Sequence, residues 1–311
     1  MLTKIFCEID DFMKGFEPEY KKRLLESEEK QSKFNSKLSK SEVMTILVYY
    51  HGYGNRTFKD FYTKTVQPHL KSEFPNLVSY NRFVELIPTV LLPLVVFLKL
   101  KRLVRSDFIT FIDSTKIVVC HNKRIKQNRT FEGIAERGKS TMGWFYGFKL
   151  HIAITETGEL CGVHLSKGNV DDRDTDVLDE VLENISGKLF ADKGYISKEL
   201  FTKLFEKGIT LITSIRKNMK NRLIPLVDKL LLRKRSVIET VNDQLKNICN
   251  IDHTRHRSLI NFLVNIVAGL IRYTYFEKKP SINFTQNDRD LLLQAFNENN
   301  QNTDFKGIAL L

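Results

Sequence analysis

Apolar residues follow two different rhythms along the chain, and the rhythm changes near Asp107. Before that point they recur every three to four residues, which predicts helices. Ser39-Lys-Ser-Glu42 ahead of VMTILVYY fits a capping box opening one helix. HGYGNR (51–56) is a turn, Thr57 to Lys64 a short helix, and Asn76 to Ser79 a cap for YNRFVEL. The run IPTVLLPLVVFL (87–98) predicts a buried helix, too short for a bilayer and interrupted by Pro88 and Pro93.

After Asp107 the runs shorten and become continuous or alternating. FITFID (108–113) and KIVVC (116–120) read as a hairpin-like pair of strands. A basic loop over 121–143 follows, then a hairpin of WFYGFKLHIAIT (144–155) and LCGVHLS (160–166) turned by ETGE. Thr175 to Ile185 has helical spacing, KLFAD (188–192) is a strand, Ser197 to Phe205 a helix, and ITLITSI (209–215) a strand. Helices are predicted from Ser236 to Ile251, with Ile238, Val241, Leu245 and Ile248 on one stripe, and from Ser258 to Tyr275. This order predicts a mixed α/β layer architecture behind a helical N-terminal domain. The expected divisions are a helical region at 1–105, a mixed α/β region at 106–279, and a polar, loosely ordered tail at 280–311 with a short helix at 288–297.

Charge narrows the class of partner. The 311 residues carry 49 Lys and Arg against 37 Asp and Glu, a formal charge of +12. That excess favours a polyanion, nucleic acid before an anionic membrane. Short helices joined by tight turns on a basic chain suggest a helix-turn-helix DNA-binding region at the N-terminus. The four cysteines are scattered, which suits a reducing compartment, and MLTKIFCEIDDF lacks a signal peptide's apolar centre. Neither secretion nor a membrane partner is expected.

Three acids carry the candidate chemistry. Asp113 and Asp192 each end an apolar strand. If those strands are parallel neighbours, about 4.8 Å apart, both carboxylates emerge at one sheet edge and call for a cation between them. Glu239 lies on a helix, and at 100° per residue Arg235 and Lys246 share its face. Hard carboxylate oxygens suit Mg2+, with Mn2+ as a substitute. Lys193 and Tyr195 follow the second acid directly and are candidate DNA contacts, as are Arg216 and Lys217 in the basic stretch 203–235. His151 and Trp144 read as core residues, and Asp171, Asp172 and Asp174 as turn and helix-start acids. The Cys/His spacings at 161–164 and 249–256 are poor zinc patterns.

FIDST, FADKGY and the R-x3-E-x6-K of Arg235, Glu239 and Lys246, with GFKLHIAIT, ETGEL and GNVDDRD between the aspartates, resemble a DDE transposase of bacterial insertion sequences, most closely the insertion sequence 982 family. The family's tyrosine position is Leu232 here. The intervals 192 − 113 = 79 and 239 − 192 = 47 leave no room for a large domain inserted before the glutamate. The resemblance implies a ribonuclease H-like mixed sheet flanked by helices, with Asp113, Asp192 and Glu239 catalytic and holding two divalent ions. It implies cleavage of element-end DNA and strand transfer into target DNA. Terminal inverted repeats and target DNA are the expected partners, handled by a homodimer or larger synaptic complex in the cytoplasm, at the nucleoid.

Overall fold

The computed structural model describes residues 1–26, 36–141, 143–214, 224–252, 256–288 and 290. Helical spacing at the N-terminus produces α1 (Leu2–Glu26), α2 (Lys40–Tyr50), α3 (Phe58–Phe61), α4 (Gln67–His69), α5 (Tyr80–Leu86) and α6 (Leu91–Phe97). The capping box forms as the sequence predicts: Ser39 Oγ accepts from the Glu42 backbone N–H at 3.2 Å, and Glu42 Oε2 accepts from the Ser39 N–H at 2.6 Å.

Sheet and helices then alternate: β1 (Ile109–Cys120), β2 (Glu136–Ser140), β3 (Gly143–Thr155), β4 (Leu160–Lys167), α7 (Thr175–Val181), β5 (Gly187–Ala191), α8 (Lys198–Glu206), β6 (Ile209–Thr213), α9 (Leu226–Lys234), α10 (Ser236–Asp243) and α11 (Leu259–Thr274). The sheet order is β2-β3-β1-β5-β6, with β4 also pairing β3. β1 is antiparallel to β3 and parallel to β5, and β5 is parallel to β6.

Two expectations are corrected here. FITFID and KIVVC are one strand, because pairing with β3 runs unbroken through Asp113↔Ile152, Ser114↔His151, Thr115↔Leu150 and Lys116↔Lys149. Ser114-Thr115 also lacks the Gly or Asn that a two-residue hairpin turn requires. The basic loop contains a 3-10 turn (Asn122–Gln127) and strand β2, whose charged residues hid an edge strand.

Alternation sorts the sheet's side chains onto two cores. On one face Ile112, Ala153, Leu189 and Ala191 pack under α7 and α8, through Val177, Leu178, Leu200 and Leu204. On the other, Phe111 stacks on Phe190 with ring centroids 5.4 Å apart, in one apolar cluster with Ile238, Val241 and Phe262. The N-terminal helices belong to this same apolar cluster. Arg102 ties the layers, donating to Glu8 Oε2 at 2.7 Å and to Thr274 Oγ1 at 2.8 Å.

Tyr80–Arg102 also departs from expectation. Its 23 residues form one helical run, long and apolar enough by composition to cross a membrane. Pro88 stands in the first turn of a 3-10 stretch (Ile87–Val90), where the run departs from α-helical bonding. Phe83, Leu86, Val90, Leu94 and Phe97 are buried in the protein's own core.

Candidate active site

The pairing of β1 with β5 sets the site. It keeps one offset throughout, from Ile109↔Lys188 to Phe111↔Phe190, and 190 − 111 = 79. The two aspartates have the same separation, 192 − 113 = 79. Asp192 directly follows Ala191, the last residue of β5, with φ −73° and ψ 166°, so the strand's extended path continues through it. Each aspartate therefore lies two positions beyond the stacked Phe111–Phe190 pair, on the same face. Asp113 does not end its strand as the sequence suggests. β5 stops instead, and β1 runs on to Cys120 with that edge unpaired among the described residues.

α10 crosses this face, held by buried Ile238 and Val241. Its Asn242 donates from Nδ2 to Asp113 Oδ2 at 3.3 Å. Arg235, at the junction of α9 and α10, bridges two of the acids. Its Nη2 donates to Glu239 Oε1 at 3.2 Å, and its Nη1 stands 3.9 Å from Asp113 Oδ1. The Arg235 side chain is 18% exposed and Asp113 24%, whereas Glu239 is 61% exposed.

Burial pushes the Asp113 carboxyl up to about 6, with Glu239 and Asp172 adding repulsion and Arg235 opposing. Tyr195 is 2% exposed, and its hydroxyl has no hydrogen-bond partner among the described residues. Burial first, then the charges of Asp172, Asp113 and Asp192, hold that phenol far above its usual range, against the pull of Arg235. Lys246 is shifted down by burial and by Lys116, while Asp252 and Asp113 raise it. Its neighbours are thus β1 and Asp252. A π-helical turn, Gln244–Ile248, ends the 100° spacing on which the shared face with Glu239 rested.

A family model for the transposase DDE domain matches residues 104–259, which is 259 − 104 + 1 = 156 of the 311 positions. The chain belongs to that transposase family. The matched span contains all three acids. No curated protein shows a match to the chain.

Membership implies use of a divalent metal. Among the described residues of this transposase, no three His, Cys, Asp or Glu side chains converge closely enough to hold an ion. The donor chemistry nevertheless fits one: Asp113 and Asp192 are hard oxygen donors in register on one face. Beside them the buried Tyr195 Oη, Arg235 Nη1 and Asn242 Oδ1 lack hydrogen-bond partners. Arg235 occupies the space between Asp113 and Glu239 as a counter-ion.

The transposase's other predicted site residues are placed as follows. Lys193 is exposed immediately after Asp192, whereas Tyr195 packs into the core beneath α7 and α8. Arg216 and Lys217 lie outside the described residues, as does His253. His151 is buried, as expected of a core residue, and pairs with Ser166 Oγ at 2.8 Å. Trp144, expected in the core, is 62% exposed. It sits at the end of β3, paired with Lys139 of edge strand β2.

Sequence reasoning missed two residues. Asp172 accepts from Ser114 Oγ at 2.8 Å and from Lys149 Nζ at 3.1 Å, so it belongs to the site's charge network as well as to the turn before α7. Asn242 is a polar residue at the border of the Ile238/Val241/Leu245 stripe, and that misplacement was the available signal.

Proposed function

We propose that this transposase is a DDE enzyme of the insertion sequence 982 type, with a ribonuclease H-like catalytic domain at 106–279. The reading further takes 1–105 as a DNA-binding region and 280–311 as a polar tail. Its chief support is the alignment of Asp113 with Asp192 on one face, with Glu239 linked to Asp113 through Arg235. Four strands in antiparallel pairs, β1 to β4, followed by parallel β5 and β6 also support the ribonuclease H-like assignment.

In this reading Asp113, Asp192 and Glu239 hold Mg2+, or Mn2+ in its place. The chemistry supplied by two such bound ions is activation of the attacking oxygen and neutralisation of the leaving one. The protein's own part is positional. Asn242 orients Asp113, and Arg235 neutralises Asp113 and Glu239 until DNA phosphates offer its planar fork a stronger partner. Lys246 and Lys193 neutralise nearby phosphates, and Arg216 and Lys217 extend that basic surface. The enzyme cuts element-end DNA at the terminal inverted repeats, then joins the freed 3′-hydroxyl to target DNA. Handling two ends calls for a homodimer or larger synaptic complex, working in the bacterial cytoplasm at the nucleoid.

The test is incubation of the full chain with element-end DNA, a target plasmid and Mg2+. Cleaved ends that become joined to the plasmid are expected. Cutting of branched or hybrid substrates without any joining would assign the chain to repair instead.

A further inference from the structure

The end of the sheet beyond the acids carries a surface that the cutting chemistry does not use. β2 and β3 pair as a ribbon, with Lys139 directly opposite Trp144 and Lys139 Nζ 5.9 Å from the centre of the indole ring. The 3-10 turn Asn122–Gln127 lies against this ribbon, and Asn122 Nδ2 donates to the Trp144 carbonyl at 2.8 Å. The connecting loop is fixed from below. Phe131 is buried against Phe148 and Phe262, and Tyr146 Oη donates to the Phe131 carbonyl at 3.0 Å. Trp144 thus stands beside a packed base with 62% of its surface open.

The 3-10 turn, the loop after it and β2 carry the exposed cations Lys123, Arg124, Lys126, Arg129, Arg137 and Lys139. Among the described residues none of these six is held in an ion pair, and the acids Glu132 and Glu136 offset only part of their charge. An indole left 62% open among the described residues, with Lys139 beside it and unpaired cations on the adjoining turn, loop and strand, matches what unpaired DNA offers: a free base face between phosphates. In duplex DNA the base faces are stacked on one another and closed to an indole. Counting along β1 from Asp113 to Cys120, which pairs Tyr146, and two positions further, the ring is roughly 30 Å from the acids at about 3.3 Å per residue. It therefore acts on a flanking stretch of strand and not at the reacting phosphate.

We propose that Trp144 is a base-stacking residue for single-stranded DNA, with the six cations holding the phosphates of that strand. This rests on the transposase reading for its biological setting and has its own readout. Trp144 is the chain's single tryptophan, so intrinsic emission reports this surface alone.

The experiment titrates the full chain with an oligothymidine of about 16 nucleotides, near the upper end of common single-strand site sizes. Saturable quenching is expected, with markedly less for a duplex of equal length. Trp144→Ala, a surface change that leaves the melting curve in place, is expected to weaken single-strand binding about 5- to 150-fold, the equivalent of one stacked base at about 1–3 kcal/mol. Trp144→Phe retains most of the affinity. Arg124→Ala reduces the slope of log affinity against log salt by about 0.7 and leaves the quenching amplitude unchanged. Asp113→Asn binds and quenches like the parent, which separates this inference from the fate of the cutting chemistry. The proposal is overturned by equal quenching with duplex, by emission that saturating oligothymidine does not move, or by undiminished binding in Trp144→Ala. Emission that shifts with protein concentration alone, or with anionic vesicles but not DNA, would reassign the surface to self-association or membrane and equally overturn it.

Discussion

Arg235 holds Glu239 at 3.2 Å with one guanidinium nitrogen while the other reaches to 3.9 Å from Asp113. One planar fork thus spans two carboxylates, which a lysine ammonium cannot do from a single point. Arg235→Lys preserves the charge and breaks the bridge. We expect end cleavage to fall at least about tenfold, which is about 1.4 kcal/mol in the barrier. Single-turnover rates on element-end DNA check this, and a variant at the parental rate would remove the bridge from the account.

Tyr195 makes the opposite kind of prediction. Its hydroxyl is buried without a partner among the described residues, so deleting it removes an unsatisfied group at no cost in hydrogen bonds. Tyr195→Phe should therefore match or exceed the parent in thermal stability. Cleavage should drop, because the lost hydroxyl lies among the charges of Asp172, Asp113 and Asp192. A melting temperature several degrees lower would show that the hydroxyl is bonded in the folded protein.

The aromatic pair beneath the acids is a stability element. Phe111 is fully buried and stacks on Phe190, across the two strands that carry the aspartates. Phe111→Ala should cost about 3–5 kcal/mol in denaturant unfolding. A loss below about 1 kcal/mol would mean that the two strands pack more loosely than described.

Acid sensitivity follows from a buried imidazole at the junction of the N-terminal helices with α11. His51 donates from Nδ1 to the Cys249 carbonyl. Burial, with lesser repulsion from His256 and Arg272, pushes its pKa down from 6.5 to about 4. The unfolded chain binds this proton more readily, so stability is complete above about pH 6.5 and falls as pH drops toward 4, by on the order of 3 kcal/mol at most. Asp113, raised to about 6, contributes the opposite slope below pH 6. Comparing His51→Asn with the parent isolates the imidazole's share. The variant's unfolding midpoint should vary less between pH 7 and pH 4, and an unchanged pH profile would contradict the assignment.

Much of this site was legible in the sequence. The strand periods put Asp192 at the end of β5 but ended β1 too early at Asp113, and the interval of 79 residues equals the strand register. Arg235 and Glu239 meet because four residues make about one helical turn. Lys246 lies within reach of the Asp113 charge, but nothing in QLKNI announces the π-helical turn that carries it. Trp144 was misassigned because a large aromatic is usually buried, and only the three-dimensional edge of the sheet leaves it bare. Asp172 was read as a turn residue because its partners, Ser114 and Lys149, lie on other strands. The helix expected at 288–297 falls largely outside the described residues.

The most direct measurement compares Asp113→Asn, Asp192→Asn and Glu239→Gln with the parent on element-end DNA in Mg2+. All three variants should bind the ends with parental affinity and fail to cleave them. Cleavage persisting in any one would contradict that residue's place among the three acids.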